Sequence, residues 1–512
     1  MASRRDELNA YTFAKRRTLA AFVQPSPSGS EEGAPRPLRA VLPGTIMGVV
    51  ILAVFGGIGL FKPTAPKDWD KTATNVIVAS DSTTRYVVLK TGDQKQLHPV
   101  LNMASAKLLL KDYTDKVVTV DEGVLDNGKI PHGATLGIPY APDRLPSAKE
   151  AEAVKRWMVC ERPSDGGRAI QKAAFVFAKK DWDKTTRTKS GSQLRGGDLM
   201  YVADSATKKQ YVVDAKGTAY PIADPAQEGV LTALDTQSRA PQRVSSEWLK
   251  TLHQGDPIAI PQIDGPGRTA NAVVGSGNAA YDKVGTVLKS LDGTKTQYYV
   301  VLQGKVARIS EFTSRLLLNS PQLVDVNRDA EAQQVNPAAV PNSVPYDAES
   351  AKWPTYKPAT VNDGTSATSG RNTVCNVLRD VGGADGTTLT TWSGTDFPAD
   401  LPTGSSSAYV TPGSGQVFRQ IQGTATKAGQ IFLVTDTGLR YALQSNGDSI
   451  SKDDSVGLTA KERKELANET KVTQKLLGYD QVTARPIPMT WSTFLPTGPR
   501  LSKPDAGQPQ GS

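Results

Sequence analysis

The sequence predicts an α+β, single-pass membrane protein in which one apolar anchor leads into a large region built of small strand-and-helix units. Three observations carry that prediction. The 22 residues AVLPGTIMGVVILAVFGGIGLF between Arg39 and Lys62 contain no charge. A pattern of polar turn, Tyr-headed strand, glycine turn and second strand, followed by a helix-compatible stretch, occurs four times beyond that run. Both cysteines, Cys160 and Cys375, lie on the same side of it.

The uncharged run is long enough for a bilayer. At 1.5 Å per residue it covers roughly 30 Å, the thickness of a hydrocarbon core, and its proline and glycines are tolerated in membrane helices. A buried core helix or a signal peptide is the competing reading. A signal peptide starts near the N-terminus and ends in a small-residue cleavage site, whereas this run begins after 39 residues and is followed by Lys-Pro. Residues 1–39 carry seven Lys or Arg, among them Lys15, Arg16, Arg17, Arg36 and Arg39. Positive charge beside a membrane stays cytoplasmic, so the N-terminus is expected inside and about 450 residues outside.

Before the anchor, residues 6–23 (DELNAYTFAKRRTLAAFV) read as a helix in which Leu8, Tyr11, Leu19 and Phe22 contribute to one stripe beside Lys15, Arg16 and Arg17. A membrane-surface helix and a docking helix for a cytosolic partner fit equally well. Residues 25–37 (PSPSGSEEGAPRP) read as a linker.

Beyond the anchor, the repeated pattern runs through DSTTRYVVLKTGDQKQLHPV, DSATKKQYVVDAKGTAYPI, DGTKTQYYVVLQGKVARI and DTGLRYALQSNGDSI, with Tyr86, Tyr211, Tyr299 and Tyr441 as its signature. Each copy has the grammar of a hairpin. Helix-compatible stretches follow near 105–110, 229–234, 314–318 and 459–466. The Tyr-to-Tyr spacings of 125, 88 and 142 residues are too irregular for a solenoid. They suit a small module separated by long insertions. Residues 144–160 (RLPSAKEAEAVKRWMVC) read as a helix capped by Ser147 that continues to the first cysteine. The last eight or so residues are expected to be disordered.

An even cysteine count in an oxidising compartment favours a disulfide. Closing a loop of 215 residues would then stabilise the fold by on the order of 5 kcal/mol in the chain-entropy model. Two separate buried thiols are the alternative.

Chemistry is hard to find. The segment GVLDNGKI (123–130) supplies Gly123, Gly128 and Lys129 in phosphate-loop spacing. However, Ile130 stands where the magnesium-binding hydroxyl belongs, and Pro131 follows where a helix should start. His98, His132 and His253 are dispersed and form no metal-ligand pattern. Around Ser414, Pro412 and Gln416 replace the glycines of a hydrolase elbow. The adjacent Asp453 and Asp454 sit in a polar stretch and read as solvated. The net charge of +9 is scattered, which argues against nucleic-acid binding.

Taken in order, several motifs resemble the EccB family of type VII (ESX) secretion systems of actinobacteria. AYTFAKRR (10–17) is similar to the family's cytosolic helix, and GKIPHGATLGIPYAPDRLP (128–146) to its segment before the first cysteine. WMVC (157–160) and TVCNV (373–377) resemble the two halves of its bridge, and FLPTGPRLS (494–502) its C-terminal signature. The resemblance implies a cytosolic docking role for Tyr11, Phe13, Arg16 and Arg17. It also implies an elongated extracytoplasmic region of four repeat domains around a central domain. The expected partners are EccC, EccD, EccE, the mycosin protease and a second copy of the chain.

The expected divisions are a cytosolic helix and linker over 1–40, a transmembrane helix over 41–61, and a first repeat domain over 62–146. A connector with the first cysteine covers 147–200, the second repeat domain 201–250, and part of the central domain 251–290. The third repeat domain covers 291–335, a central insertion with the second cysteine 336–430, and the fourth repeat domain 431–485. Residues 486–512 would pack back and end in a disordered tail. Some family members are labelled ATPases, but the incomplete phosphate loop here supports a structural component of the secretion complex, with no enzyme activity and no cofactor. The alternative is a cell-envelope-binding or weakly nucleotide-hydrolysing membrane protein.

Overall fold

The computed structural model describes residues 3–23, 38–60, 65–164, 169–227, 229–274, 280–364, 370–382, 386–401, 407–423, 425–444 and 460–510. The expected linker at 25–37, the Asp453–Asp454 pair and the end of the fourth hairpin at 445–450 lie outside these residues. The chain forms two compact units, Met1–Lys67 and Asp68–Ser512.

The first unit contains two helices, Arg4–Val23 and Leu38–Leu60. The second helix is 23 residues long and carries Pro43 in its second turn, where the proline removes one helical hydrogen bond. Its side chains are described over 41–55, and among the described residues no helix is long and apolar enough to cross a membrane.

The second unit is mixed α and β, and one strand order recurs in it. Strands Val76–Ala79, Arg85–Thr91 and Gln94–Val100 form an antiparallel meander. The helix Met103–Leu108 follows, capped by the Asn102 side chain, which accepts from the Ser105 N–H. Strand Val117–Val120 then returns parallel to the first strand. A second sheet repeats the order with Asp198–Asp204, Gln210–Val213, Thr218–Pro221, helix Val230–Ala233 and parallel strand Gln242–Val244. A third does so with Val287–Asp292, Lys295–Leu302, Lys305–Ile309, helix Glu311–Leu318 and Gln333–Gln334. The fourth uses Gly415–Ile421, Ile431–Thr435, Arg440–Ala442, helix Ala460–Leu477 and Arg485–Pro488. A lone hairpin cannot bury its apolar face; the helix and the returning strand provide the cover.

Between these sheets lies a six-stranded central sheet made from two hairpins distant in sequence. Arg156–Pro163 pairs with Ile170–Phe177, and Thr373–Val381 pairs with Thr387–Gly394. The two hairpins join edge to edge where Arg156–Pro163 meets Thr373–Val381 antiparallel. Short strands Ala408–Val410 and Gly191–Gln193 complete the two edges. The second and third sheets are thus inserted, in chain order, between the two halves of the central one.

Three features differ from the sequence expectation. The helix after Ser147 ends at Glu152, and RWMVC is strand. Its residues alternate between two covered faces, with Trp157 and Val159 in one core and Met158 and Cys160 in another. A strand buried on both faces loses the polar alternation that would have marked it. The fourth copy is offset: Tyr86, Tyr211 and Tyr299 lie on the second strand of their meanders, but Tyr441 lies on the third. The motif DTGLRY begins at the turn between the second and third strands there, so local pattern alone aligned the wrong hairpin of the meander. Finally, the chain end is folded as far as Gln510. Ser502 caps the helix Lys503–Ala506, Leu501 and Ala506 are fully buried, and Gln510 hydrogen-bonds Thr135 and Gly137.

Candidate functional site

The loop with phosphate-binding spacing borders a cleft of about 780 Å³, lined in part by Trp69, Asp70, Lys95, Asn127 and Lys129. Its geometry does not fit a nucleotide's phosphates. A short helix, Glu122–Leu125, lies inside the motif rather than after it, and the Asp121 carboxylate occupies its N-terminus by accepting from the Gly123 N–H at 2.8 Å. The Lys129 N–H is taken by Asn127 Oδ1 at 2.9 Å, closing a turn in which Gly128 adopts φ +78°. No helix begins after Lys129; the chain runs through Pro131 into a bridge between His132 and Leu97. A phosphate cradle needs free backbone N–H groups at a helix start, and these donors are already used. Among the described residues no three His, Cys, Asp or Glu come together to hold a metal.

Cys160 and Cys375 lie directly opposite one another across the seam of the central sheet and form a disulfide. Both are fully buried, among Met158, Phe175, Val377 and Trp392. The bond therefore crosses the one seam that unites the two hairpins.

The signature tyrosines are structural in different ways. Tyr86 meets the His132 ring edge-on, and burial together with Asp126 and Glu122 raises its phenol. Tyr211 packs at the margin of the core shared by the second, fourth and central sheets, and burial raises its phenol too. The Tyr299 and Ser290 hydroxyls lie 3.2 Å apart, and those of Tyr441 and Thr437 3.1 Å apart. The four tyrosines are dispersed, one per sheet, and form no common site.

In the N-terminal helix Tyr11 is 68% exposed and Phe13 54%, and Arg16 and Arg17 are also exposed. Apolar rings left in solvent beside cations are the composition of a contact surface.

Two buried linkages escaped the sequence, and a third lies in the C-terminal segment expected to pack back. Glu161, fully buried, accepts from the Ser245 N–H at 2.7 Å and from its hydroxyl at 2.5 Å, tying the central sheet to the cap of the helix Ser246–Leu249. Burial raises this carboxyl above its ordinary range. The Trp157 indole donates to Gln416 at 2.8 Å, joining the central sheet to the fourth. The C-terminal segment runs from the fourth sheet, where the Arg440 N–H donates to Pro496, to the first, where Lys503 donates to the Leu110 carbonyl. Of the two that escaped, only Glu161 had a local signal, a glutamate directly after a cysteine in an apolar run.

The comparisons with known proteins agree with this architecture. The family model described as "Type VII secretion system ESX-1, transport TM domain B" matches residues 1–511. A relative from Mycobacterium tuberculosis, "ESX-3 secretion system ATPase EccB3", is 27% identical over 499 residues, covering 92% of this chain and 83% of that protein. A chain in "Structure of an intact ESX-5 inner membrane complex, Composite C3 model" aligns with a TM-score of 0.56 and 18% identity, covering 100% of this chain and 96% of its own. A chain in "Structure of EccB3 dimer from the ESX-3 core complex" aligns with a TM-score of 0.54 and 22% identity over 85% of this chain and all of its own. With residues 1–511 matched by the family model, the chain belongs to the EccB family of type VII secretion systems.

Proposed function

We propose that this protein is a structural core component of the type VII secretion membrane complex. The observation that carries the reading is the family match over residues 1–511. In this reading the apolar segment 41–61 is a single membrane anchor, with the basic N-terminus in the cytoplasm and the second unit outside. The seven cations before the anchor support that orientation. The four like-ordered sheets are copies of one scaffold module around the disulfide-bonded central sheet, and Tyr86, Tyr211, Tyr299 and Tyr441 serve their packing. Tyr11, Phe13, Arg16 and Arg17 dock the N-terminal helix onto cytosolic or membrane neighbours. EccC, EccD, EccE and the mycosin protease are the partners this reading assigns, together with a second copy of the chain.

A relative's name carries the word ATPase. The scaffold reading assigns no hydrolysis to this chain, because the loop at 123–130 spends its donors on Asp121 and Asn127. Affinity purification of the full chain from detergent-solubilised membranes, followed by native mass spectrometry, tests the proposal. Recovery in a large assembly with other membrane proteins is the expected result. Recovery as a lone monomer would sink it.

A further inference from the structure

One group of charges in the central sheet has no counterpart. Arg156 opens the strand Arg156–Pro163, and Arg379 lies near the end of Thr373–Val381, on the neighbouring strand. By strand alternation both continue the face that carries Met158, Cys160, Cys375 and Val377. They occupy its open end, where the 3-10 helix Lys179–Thr185 folds over the sheet. Both guanidiniums donate to the same hydroxyl, Thr185 Oγ1, Arg156 from Nη1 at 3.2 Å and Arg379 from Nη1 at 3.4 Å. Two cations sharing one neutral acceptor repel each other, and burial together with Arg156 lowers Arg379 to about 10.

Among the described residues no carboxylate relieves this. Among the described residues neither arginine has an ion-pair partner. Asp181, on the covering helix, is already engaged by Lys184 at 3.2 Å and by the Thr411 hydroxyl at 2.7 Å. The Asp380 side chain accepts from the Val381 N–H and is exposed. The remaining contacts hold the two forks in place. Arg156 donates to the Trp182 carbonyl at 3.2 Å and stacks on the Trp182 ring at 4.1 Å. Arg379 donates through Nε to Thr390 at 2.9 Å and through Nη2 to Gln193 at 2.8 Å. These contacts leave Nε and Nη2 of Arg156 without a protein acceptor among the described residues, and both side chains keep partial solvent access. Two half-buried, pre-positioned guanidiniums with donors to spare are the arrangement that receives an oxyanion.

We infer that Arg156 and Arg379 form a binding site for one oxyanion, a phosphate or a carboxylate, at the open end of the central sheet. The anion would neutralise the paired cations and lock the covering helix against the seam between the two hairpins.

The test uses the full chain in detergent, in phosphate-free buffer, with chloride holding ionic strength constant. Isothermal titration with inorganic phosphate and, separately, with acetate should give one saturable site for at least one probe. Saturation by phosphate alone assigns a phosphate-class ligand, and saturation by acetate a carboxylate. Arg379→Gln should weaken binding about 10-fold or more, as loss of a charge-assisted pair requires. Arg379→Lys should fall between, because it keeps the charge and loses the fork. Arg419→Gln, a control on the fourth sheet, should bind as the native chain does. The native chain's unfolding midpoint should rise with the bound anion, and that rise should vanish in the Arg156→Gln/Arg379→Gln double variant. The midpoint reads out on the native chain alone if a variant does not fold. No saturation by either probe, or binding unchanged in the folded double variant, overturns the site.

Discussion

Glu161 shows how one side chain can set a pH dependence for the fold of the second unit. Its raised carboxyl holds a proton in the folded chain at pH values where the unfolded chain has released it. The folded state therefore binds more protons in that window. This contribution to stability is complete below the ordinary glutamate range and is lost as pH rises through the raised folded value. Glu161→Gln should flatten this part of the stability profile, as read by denaturant unfolding at stepped pH. Glu161→Ala should cost about 1–3 kcal/mol below the ordinary glutamate range by leaving the buried Ser245 N–H without its acceptor. The sequence could show the cysteine next door, because the chain has only two cysteines. It could not show that Ser245 sits opposite, since 84 residues separate the two.

At the scale of elements, the hairpin rhythm was visible, but the module was larger than a hairpin. Local alternation and turn glycines mark two strands at a time. In the first three copies the first strand of the meander lies ahead of the Tyr-headed hairpin, and the strand that returns parallel to it comes only after the helix, a pairing that periodicity does not report. That is also why Tyr441 fell on a different strand from its counterparts. Gly229 marks a junction between modules. It sits at φ +84° before the helix Val230–Ala233, and a Cβ there would lie 1.8 Å from the Asn319 carbonyl at the end of the third sheet's helix. Gly229→Ala should cost about 1–3 kcal/mol from the backbone conformation alone, and more from the collision. Matched thermal and denaturant unfolding of the variant measures this. The same two helices share the core of Val230, Ala233, Phe312 and Leu316, so the second and third sheets should loosen together, with protection in hydrogen exchange falling on both.

At the scale of the molecule, the C-terminal segment joins the last sheet to the first. Leu501 donates to Ala442 on the fourth sheet, and Gln510 reaches Thr135 and Gly137 beside the first. Composition made this tail look disordered, because its prolines, glycines and polar groups lack an apolar stripe. Its order comes from two buried residues, Leu501 and Ala506, and from backbone hydrogen bonds that only the folded chain offers. Ending the chain after Pro496 should remove about 2 kcal/mol with Leu501 alone. It should also open new protease cleavage between residues 97 and 137, mapped by limited proteolysis and mass spectrometry; an unchanged digestion pattern would mean that the segment is an ornament.

That segment also imposes an order in time. A ribosome delivers the first sheet early and residues 497–510 much later, so the first sheet must wait, incompletely covered, through the synthesis of nearly four hundred further residues. A nascent chain stalled anywhere along that stretch leaves Leu109 and Leu136 without the segment that packs on them, so the beginning of the fold is sealed only once residues 497–510 have been made.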